Sequence, residues 1–180
     1  EAANRLCAGK AGYSSMSAPS FFRRAADFEI VSLGPSDCAE ASILHGLSFS
    51  RPWSDGEFQA LMVQETVFGF AARRPAAGKG SLPGGFVLAR LVAGEAEILT
   101  ITVQPKYREN GIGWRLMLAA LRHLRAEGAQ TLFLEADEEN RAALALYKKF
   151  GFAQVARRAA YYKHEGTANS AALVMRLDLG

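Results

Sequence analysis

Arg108-Glu109-Asn110-Gly111-Ile112-Gly113 is the stretch of this chain with the plainest chemical meaning. It leads into apolar residues at helical spacing, Ile112, Leu116, Ala119 and Ala120 with Leu121 and Leu124 beyond, so the glycines sit where a strand passes into a helix. Glycine lets the backbone approach a ligand closely, and a first helical turn offers free N–H groups backed by the helix dipole. Such a junction can grip a pyrophosphate. A glycine pair also reads as an ordinary turn and cap, and at this level both readings stand. No Lys-Ser/Thr follows, which excludes a nucleoside triphosphate P-loop, and the glycine spacing is not that of a dinucleotide fingerprint. Glu135 is the second candidate. It follows the apolar strand Leu132-Phe133-Leu134 and so falls toward the carboxyl end of a central strand, where ligands of α/β sheets bind. A partly desolvated carboxylate there can act as general base, although a Glu that merely ends a strand in solvent, like Asp137, Glu138 and Glu139, has the same pattern.

The elements that must hold these groups follow from the periodicity. A strand is predicted over 28–33, then a Gly-Pro-Ser-Asp break and a helix through His45. Ser54 and Glu57 fit a capping box and start a second helix that runs to about Val63, with Phe58, Leu61 and Met62 on its inner face. Strands at 67–73, 85–93 and 96–103 form an antiparallel meander, with a mobile loop at 74–84. In the third strand, Glu97, Leu99, Ile101 and Val103 are expected on one face and Ala96, Ile98, Thr100 and Thr102 on the other. A helix over 113–127, a strand over 131–136, a helix over 140–150 and strands over 152–156 and 172–179 complete the chain. The fold class is α/β (α+β), a mixed central sheet flanked by helices.

Composition bounds the function. The 180 residues, 49% hydrophobic and 22% charged, suit one folded domain. Residues 1–15 are aperiodic and read as a disordered leader or tail, which leaves 16–180 as the single domain. The longest apolar runs, Leu116–Leu121 and Ala142–Tyr147, have six residues against the roughly 20 of a membrane span. No membrane contact is expected. Two cysteines, Cys7 and Cys38, cannot form a disulfide framework, and neither CxxC nor Cys/His spacing supports a metal, so a reduced cytoplasmic protein without metal is expected. His45, His123 and His164 show no catalytic spacing, and His45 reads as a helix-end residue. The net charge of +3 is too small to argue for nucleic acid. Residues 95–140 carry five basic and eight acidic groups and residues 141–180 seven and two, which suggests an acidic side around Glu135 to Glu139 able to attract a cationic partner.

Arg108-x-x-Gly111-x-Gly113, preceded by Glu97–Val103 and followed by Leu134-Glu135, Asn140, Ala145–Phe152 and Arg157–Tyr162, resembles the GNAT acetyltransferase superfamily and, within it, the RimI branch. Arg51-Pro52-Trp53-Ser54 is similar to the same branch. The resemblance covers about 28–178 and is sharpest over 97–162. It implies a GNAT fold in which two parallel strands splay apart and acetyl-CoA, the acetyl donor, lies between them. Backbone N–H groups around Ile101, Thr102 and Val103 would then bond the pantetheine arm and polarise the thioester, where the bare pattern shows only a sheet ladder. The loop Arg108, Glu109, Asn110, Gly111, Ile112, Gly113 and Trp114 would hold the pyrophosphate.

The resemblance further implies that Glu135 takes the amine proton and that Tyr147 protonates the departing thiolate. Spacing alone makes Tyr147 a core aromatic beside Ala143, Leu146 and Phe150. Asn140 would add a bond to pantetheine to its N-cap role, and Tyr161-Tyr162 would border the acceptor cleft. The acceptor implied is a protein N-terminal amine, that of a small-subunit ribosomal protein, with the enzyme a monomer or weak dimer. Departures from the branch are Glu109 beside Arg108, Trp114 after the second glycine, Asp137 where a basic residue is common, and Asn169-Ser170 in place of an acidic pair. They leave acceptors such as lysine, a small-molecule amine or an aminoacyl group open, and a non-catalytic acyl-CoA-binding module is the alternative of another class.

Overall fold

The computed structural model describes residues 27–75, 77–78, 80–162 and 170–180, and the side chains of 160–162 lie outside that description, as does the leader expected over 1–15. Seven strands form one sheet in the order β1-β2-β3-β4-β5-β7-β6. β1 (Glu29–Ser32), β2 (Val67–Arg73), β3 (Gly85–Val92) and β4 (Glu95–Val103) make the antiparallel meander. β5 (Thr131–Asp137) runs parallel to β4, and β7 (Ser170–Asp178) lies antiparallel between β5 and β6 (Ala153–Tyr162).

Helices α1 (Cys38–Gly46) and α2 (Asp55–Met62) build one core with Phe86, Leu88, Val67 and Ala71. The larger core holds α3 (Ile112–Ala126) and Tyr147 of α4 (Arg141–Lys149) against Val87, Ile98, Leu132 and Leu134. α3 buries Ile112, Leu116, Met117, Ala120, Leu121 and Leu124, each large side chain contributing about 1.5–3 kcal/mol. Met117 joins the inner face that the pattern had assigned without it, and Ala119 is only half-buried. At α2 the capping box forms as its residues dictate: Ser54 Oγ accepts the Glu57 N–H at 3.3 Å, and Glu57 Oε2 accepts the Ser54 N–H at 2.7 Å.

Two expectations need correction. β6 runs on to Tyr162 instead of ending near Ala156. Arg157-Arg158 looks like a strand terminus, but β6 is the edge of the sheet, where charged side chains are tolerated. The second concerns β4. Leu88 faces Thr100 and Ala89 faces Ile98, so Leu99 is an extra residue, a β-bulge. The bulge reverses the alternation. Ile101 and Val103 pack in the same core as Ala96 and Ile98, while Leu99 packs in the other, so the two faces predicted by strict period two do not persist beyond Leu99.

Gly85 marks how closely β3 and β4 approach at this end. A Cβ there would lie 2.7 Å from the Thr102 carbonyl oxygen and 3.1 Å from Val103 Cγ2. Gly85→Ala is therefore expected to displace the last residues of β4 and to destabilise by about 1–3 kcal/mol, measurable as a lowered midpoint in urea.

Candidate active site

β4 and β5 pair only from Glu95 opposite Thr131 to Ile98 opposite Leu134. Beyond that point the strands part, immediately next to the bulge. Thr131–Leu134 thus belong to the closed part of the pair, and the far wall of the gap begins at Glu135. The near wall is the end of β4. Gln104 donates its N–H to the Gly84 carbonyl at 2.9 Å, which makes 84 and 104 a hydrogen-bonded antiparallel pair. Counting back by twos, Thr102 bonds to Phe86, and Ile101 and Val103, opposite Val87 and Gly85, turn their backbone groups away from β3 and into the gap.

Below the gap, Gly111 caps α3 in a left-handed conformation with φ 79°. Its carbonyl accepts the Arg115 N–H at 3.1 Å, and the N–H groups of Ile112, Gly113 and Trp114, in the first turn, have no intrahelical acceptor. Glu109 also has positive φ, 61°, which a side chain adopts only at a cost. The Asn110 amide donates to the Arg108 carbonyl at 3.1 Å and folds the loop on itself. Arg108 points back across the gap's rim: Nε donates to the Val103 carbonyl at 3.4 Å and Nη2 to Ser48 Oγ at 3.3 Å. Trp114 stacks on Phe150 with centroids 4.0 Å apart, and Gly113 lies against Leu146, so the start of α3 is docked on α4. The first-turn N–H groups, the glycine cap and the backbone edge of β4 offer a row of donors to an extended anionic ligand laid along the gap.

Glu135 projects on the face opposite Leu132, Leu134 and Ala136, which are in the α3 core. It is 26% exposed and forms an ion pair with Arg158, Nη1 to Oε1 2.8 Å. The neighbouring acidic run is not a free negative patch. Glu138 accepts the Ala171 N–H at 3.0 Å and is held by Arg157 through two bonds of 2.9 Å; the Ala171 N–H first, and then Arg157, keep its carboxyl below the usual range. Asp137 accepts the Glu139 N–H at 2.9 Å. Two of the four carboxylates expected to attract a cation therefore already face arginines, which corrects the picture of an acidic acceptor side.

Tyr147 is 5% exposed and packs against Phe152, centroids 5.8 Å apart. Asn140 Oδ1 accepts the Ala143 N–H at 3.1 Å and caps α4. Tyr161 and Tyr162 belong to β6 by their backbone, and their side chains lie outside the described residues.

The Glu135–Arg158 pair and Ser48 had no clear signal in the sequence, and neither had the burial of His45. Ser48, in the loop after α1, ties the end of β4 to the glycine loop, accepting from Thr102 Oγ1 at 2.6 Å as well as from Arg108. His45 organises that loop. It stands in the last turn of α1, as its position predicts, but is only 3% exposed, stacked between Phe49 (4.1 Å) and Trp53 (5.0 Å), with Nδ1 accepting the Trp53 N–H at 3.1 Å. An acceptor nitrogen must be unprotonated. Burial lowers its pKa to about 4, against a weaker opposing pull from Glu57. Because the unfolded histidine binds its proton near 6.5 and the folded one only near 4, the unfolded state holds more protons between them, and stability falls as pH falls through that window. His45→Phe is expected to flatten the stability curve between pH 6.5 and 5 and to cost about 1–3 kcal/mol at neutral pH by stranding the Trp53 N–H. Urea titrations at several pH values check both.

A mixed sheet whose parallel strands part beside a glycine-capped helix, with Glu135 where they part, marks the candidate site. The sequence model of the Acetyltransferase (GNAT) family matches residues 40–152. The chain is 31% identical over 133 residues to the ribosomal protein bS18-alanine N-acetyltransferase of Escherichia coli, a match spanning 74% of this chain and 86% of that protein. It is 41% identical over 86 residues to the N-alpha-acetyltransferase RimI of Mycobacterium tuberculosis, 48% of this chain and 51% of that one. Among solved structures, the Escherichia coli ribosomal-protein-S18-alanine N-acetyltransferase superposes with TM-score 0.77 at 27% identity over 85% of this chain and 94% of that chain. Arabidopsis thaliana NAA60 in complex with acetyl-CoA gives 0.74 at 20% identity over 84% and 98%. The chain belongs to the GNAT acetyltransferase family and is an N-acetyltransferase. Among the described residues no helix is long and apolar enough to cross a membrane.

Proposed function

We propose that this chain acetylates the N-terminal amine of a protein, a small-subunit ribosomal protein of the bS18 kind, in the cytoplasm. The match to the bS18-alanine N-acetyltransferase over 86% of that relative carries the reading. The site geometry supports it. Acetyl-CoA supplies the activated acetyl thioester. The N–H groups of Ile101 and Val103 at the β4 edge and those of Ile112, Gly113 and Trp114 at the head of α3 would hold it, with Asn140 near the start of α4 adding a side-chain contact. Donors aimed at a thioester carbonyl each contribute about 3 kcal/mol toward the developing oxyanion. Glu135 removes a proton from the acceptor ammonium, and an N-terminal amine, with a pKa of about 8 against about 10.4 for lysine, needs only a modest base. Tyr147 delivers a proton to the departing sulfur. The resemblance assigns Tyr161 and Tyr162 to the acceptor side.

Mass spectrometry of small-subunit ribosomal proteins from cells with and without the gene tests the acceptor. Loss of one N-terminal acetyl group is expected. Unchanged N-termini throughout would remove the ribosomal acceptor. Purified protein that releases CoA with lysine or a small amine instead would reassign the substrate, and protein that binds acetyl-CoA yet transfers to no amine would mark a binding module.

A further inference from the structure

We infer that Arg158 is the resident counter-ion of Glu135, which the acceptor's ammonium must displace before transfer, so that Arg158 helps to select cationic acceptors. This rests on the reading of Glu135 as the group that meets the acceptor amine. Arg158 reaches Glu135 from two strands away. Glu135 is paired with Val174 on β7 and Arg158 with Ala172, so the guanidinium lies across β7 to place Nη1 2.8 Å from Oε1. The pair is partly exposed, with the Arg158 side chain 58% and the Glu135 side chain 26% accessible.

The other arginines of this region have their own carboxylates. Arg157 holds Glu138, and Arg176 holds Asp178 at 2.7 Å while lying over the Phe133 ring at 5.9 Å. Arg158 alone of the three is paired with the residue placed to take a proton. An ammonium arriving at Glu135 brings a second cation to an occupied carboxylate, and two cations at that distance repel. One must go. Breaking this partly exposed pair costs little, since half-exposed ion pairs contribute at most about a fivefold factor. A cationic acceptor replaces the lost attraction and a neutral one, such as a hydroxyl, cannot. Once the acceptor is seated, its nitrogen gives one proton to Glu135 and becomes the neutral nucleophile. Arg158 stays protonated throughout.

Steady-state kinetics with acetyl-CoA and a peptide bearing a free N-terminus test this on Arg158→Met, Arg158→Gln and Arg158→Lys. Met and Gln are expected to lower the acceptor KM about threefold to fivefold at about 50 mM salt, with the gain vanishing near 500 mM as screening weakens the native pair. Lys, which keeps the charge, is expected to retain the wild-type KM, and the KM for acetyl-CoA should not follow the acceptor's. A fall in kcat without a fall in acceptor KM would overturn the inference and make Arg158 an orienting support for Glu135. Unaltered constants at both salt concentrations would also overturn it. Glu135→Gln separates the two levels. If that variant turns over normally, the reading of Glu135 itself fails; if it is inactive while Arg158→Met leaves KM unchanged, only the counter-ion inference fails.

Discussion

Glu135→Gln is expected to lower kcat for acetyl transfer at neutral pH by about 100- to 10,000-fold, the range over which a positioned general base contributes. The substitution keeps the shape of the side chain. Its ion pair with Arg158 is partly exposed, so its loss should change stability by less than about 1 kcal/mol, and thermal melting separates a catalytic defect from a folding one. Without a proton acceptor, the variant must wait for amines that have already lost their proton. Its rate should therefore climb with pH through about 8, the range in which an N-terminal amine loses its proton. Release of CoA thiol from pH 6.5 to 9.5 reads both effects, and near-normal turnover at pH 7 would end the assignment of Glu135.

Tyr147→Phe is expected to cut kcat by about 100-fold while leaving the affinity for acetyl-CoA in place. Tyr147 is 5% exposed and its ring rests on Phe152, so phenylalanine preserves the packing that holds α4 to the sheet and removes only the hydroxyl. Deleting that group should cost about 1 kcal/mol of stability. Calorimetric titration with acetyl-CoA and turnover with peptide measure the two quantities independently. An unaltered kcat would return Tyr147 to the core role that its helical spacing suggests.

Both residues stand where local sequence signals put them, on the last turns of a strand and a helix, yet neither signal separated a functional role from a structural one. Glu135 has the same local pattern as a solvated strand end, and Tyr147 that of a core aromatic. Ser54 and Glu57 are a contrast. Their capping box is a contact between residues three apart, so the chain spells it out and the structure contains it. The same holds for Gly111 at the head of α3 and for Asn140 at the head of α4, where the cap is local.

What lay beyond local reading was decided by pairing. The bulge at Leu99 exists because β3 and β4 differ by one residue across Leu88 and Ala89, a fact of register that neither strand carries alone. It turned Ile101 and Val103 toward the α3 core against the expected alternation. Arg158 lies beyond the strand expected over 152–156, and only the continuation of β6 along β7 brings it to Glu135, 23 residues away in the chain. His45 was legible as a helix end, but its burial among Phe49, Trp53 and Phe58 required the following loop to fold back over α1.

By itself, then, the sequence determined the family, the succession of strands and helices, the caps and the glycine junction, because periodicity and contacts a few residues apart depend on neighbours in the chain. Only the tertiary structure decided where β4 leaves β5, which backbone groups face the gap and which cation occupies Glu135. Those depend on register between strands distant in sequence, and a shift of one residue sends every side chain beyond it to the other face.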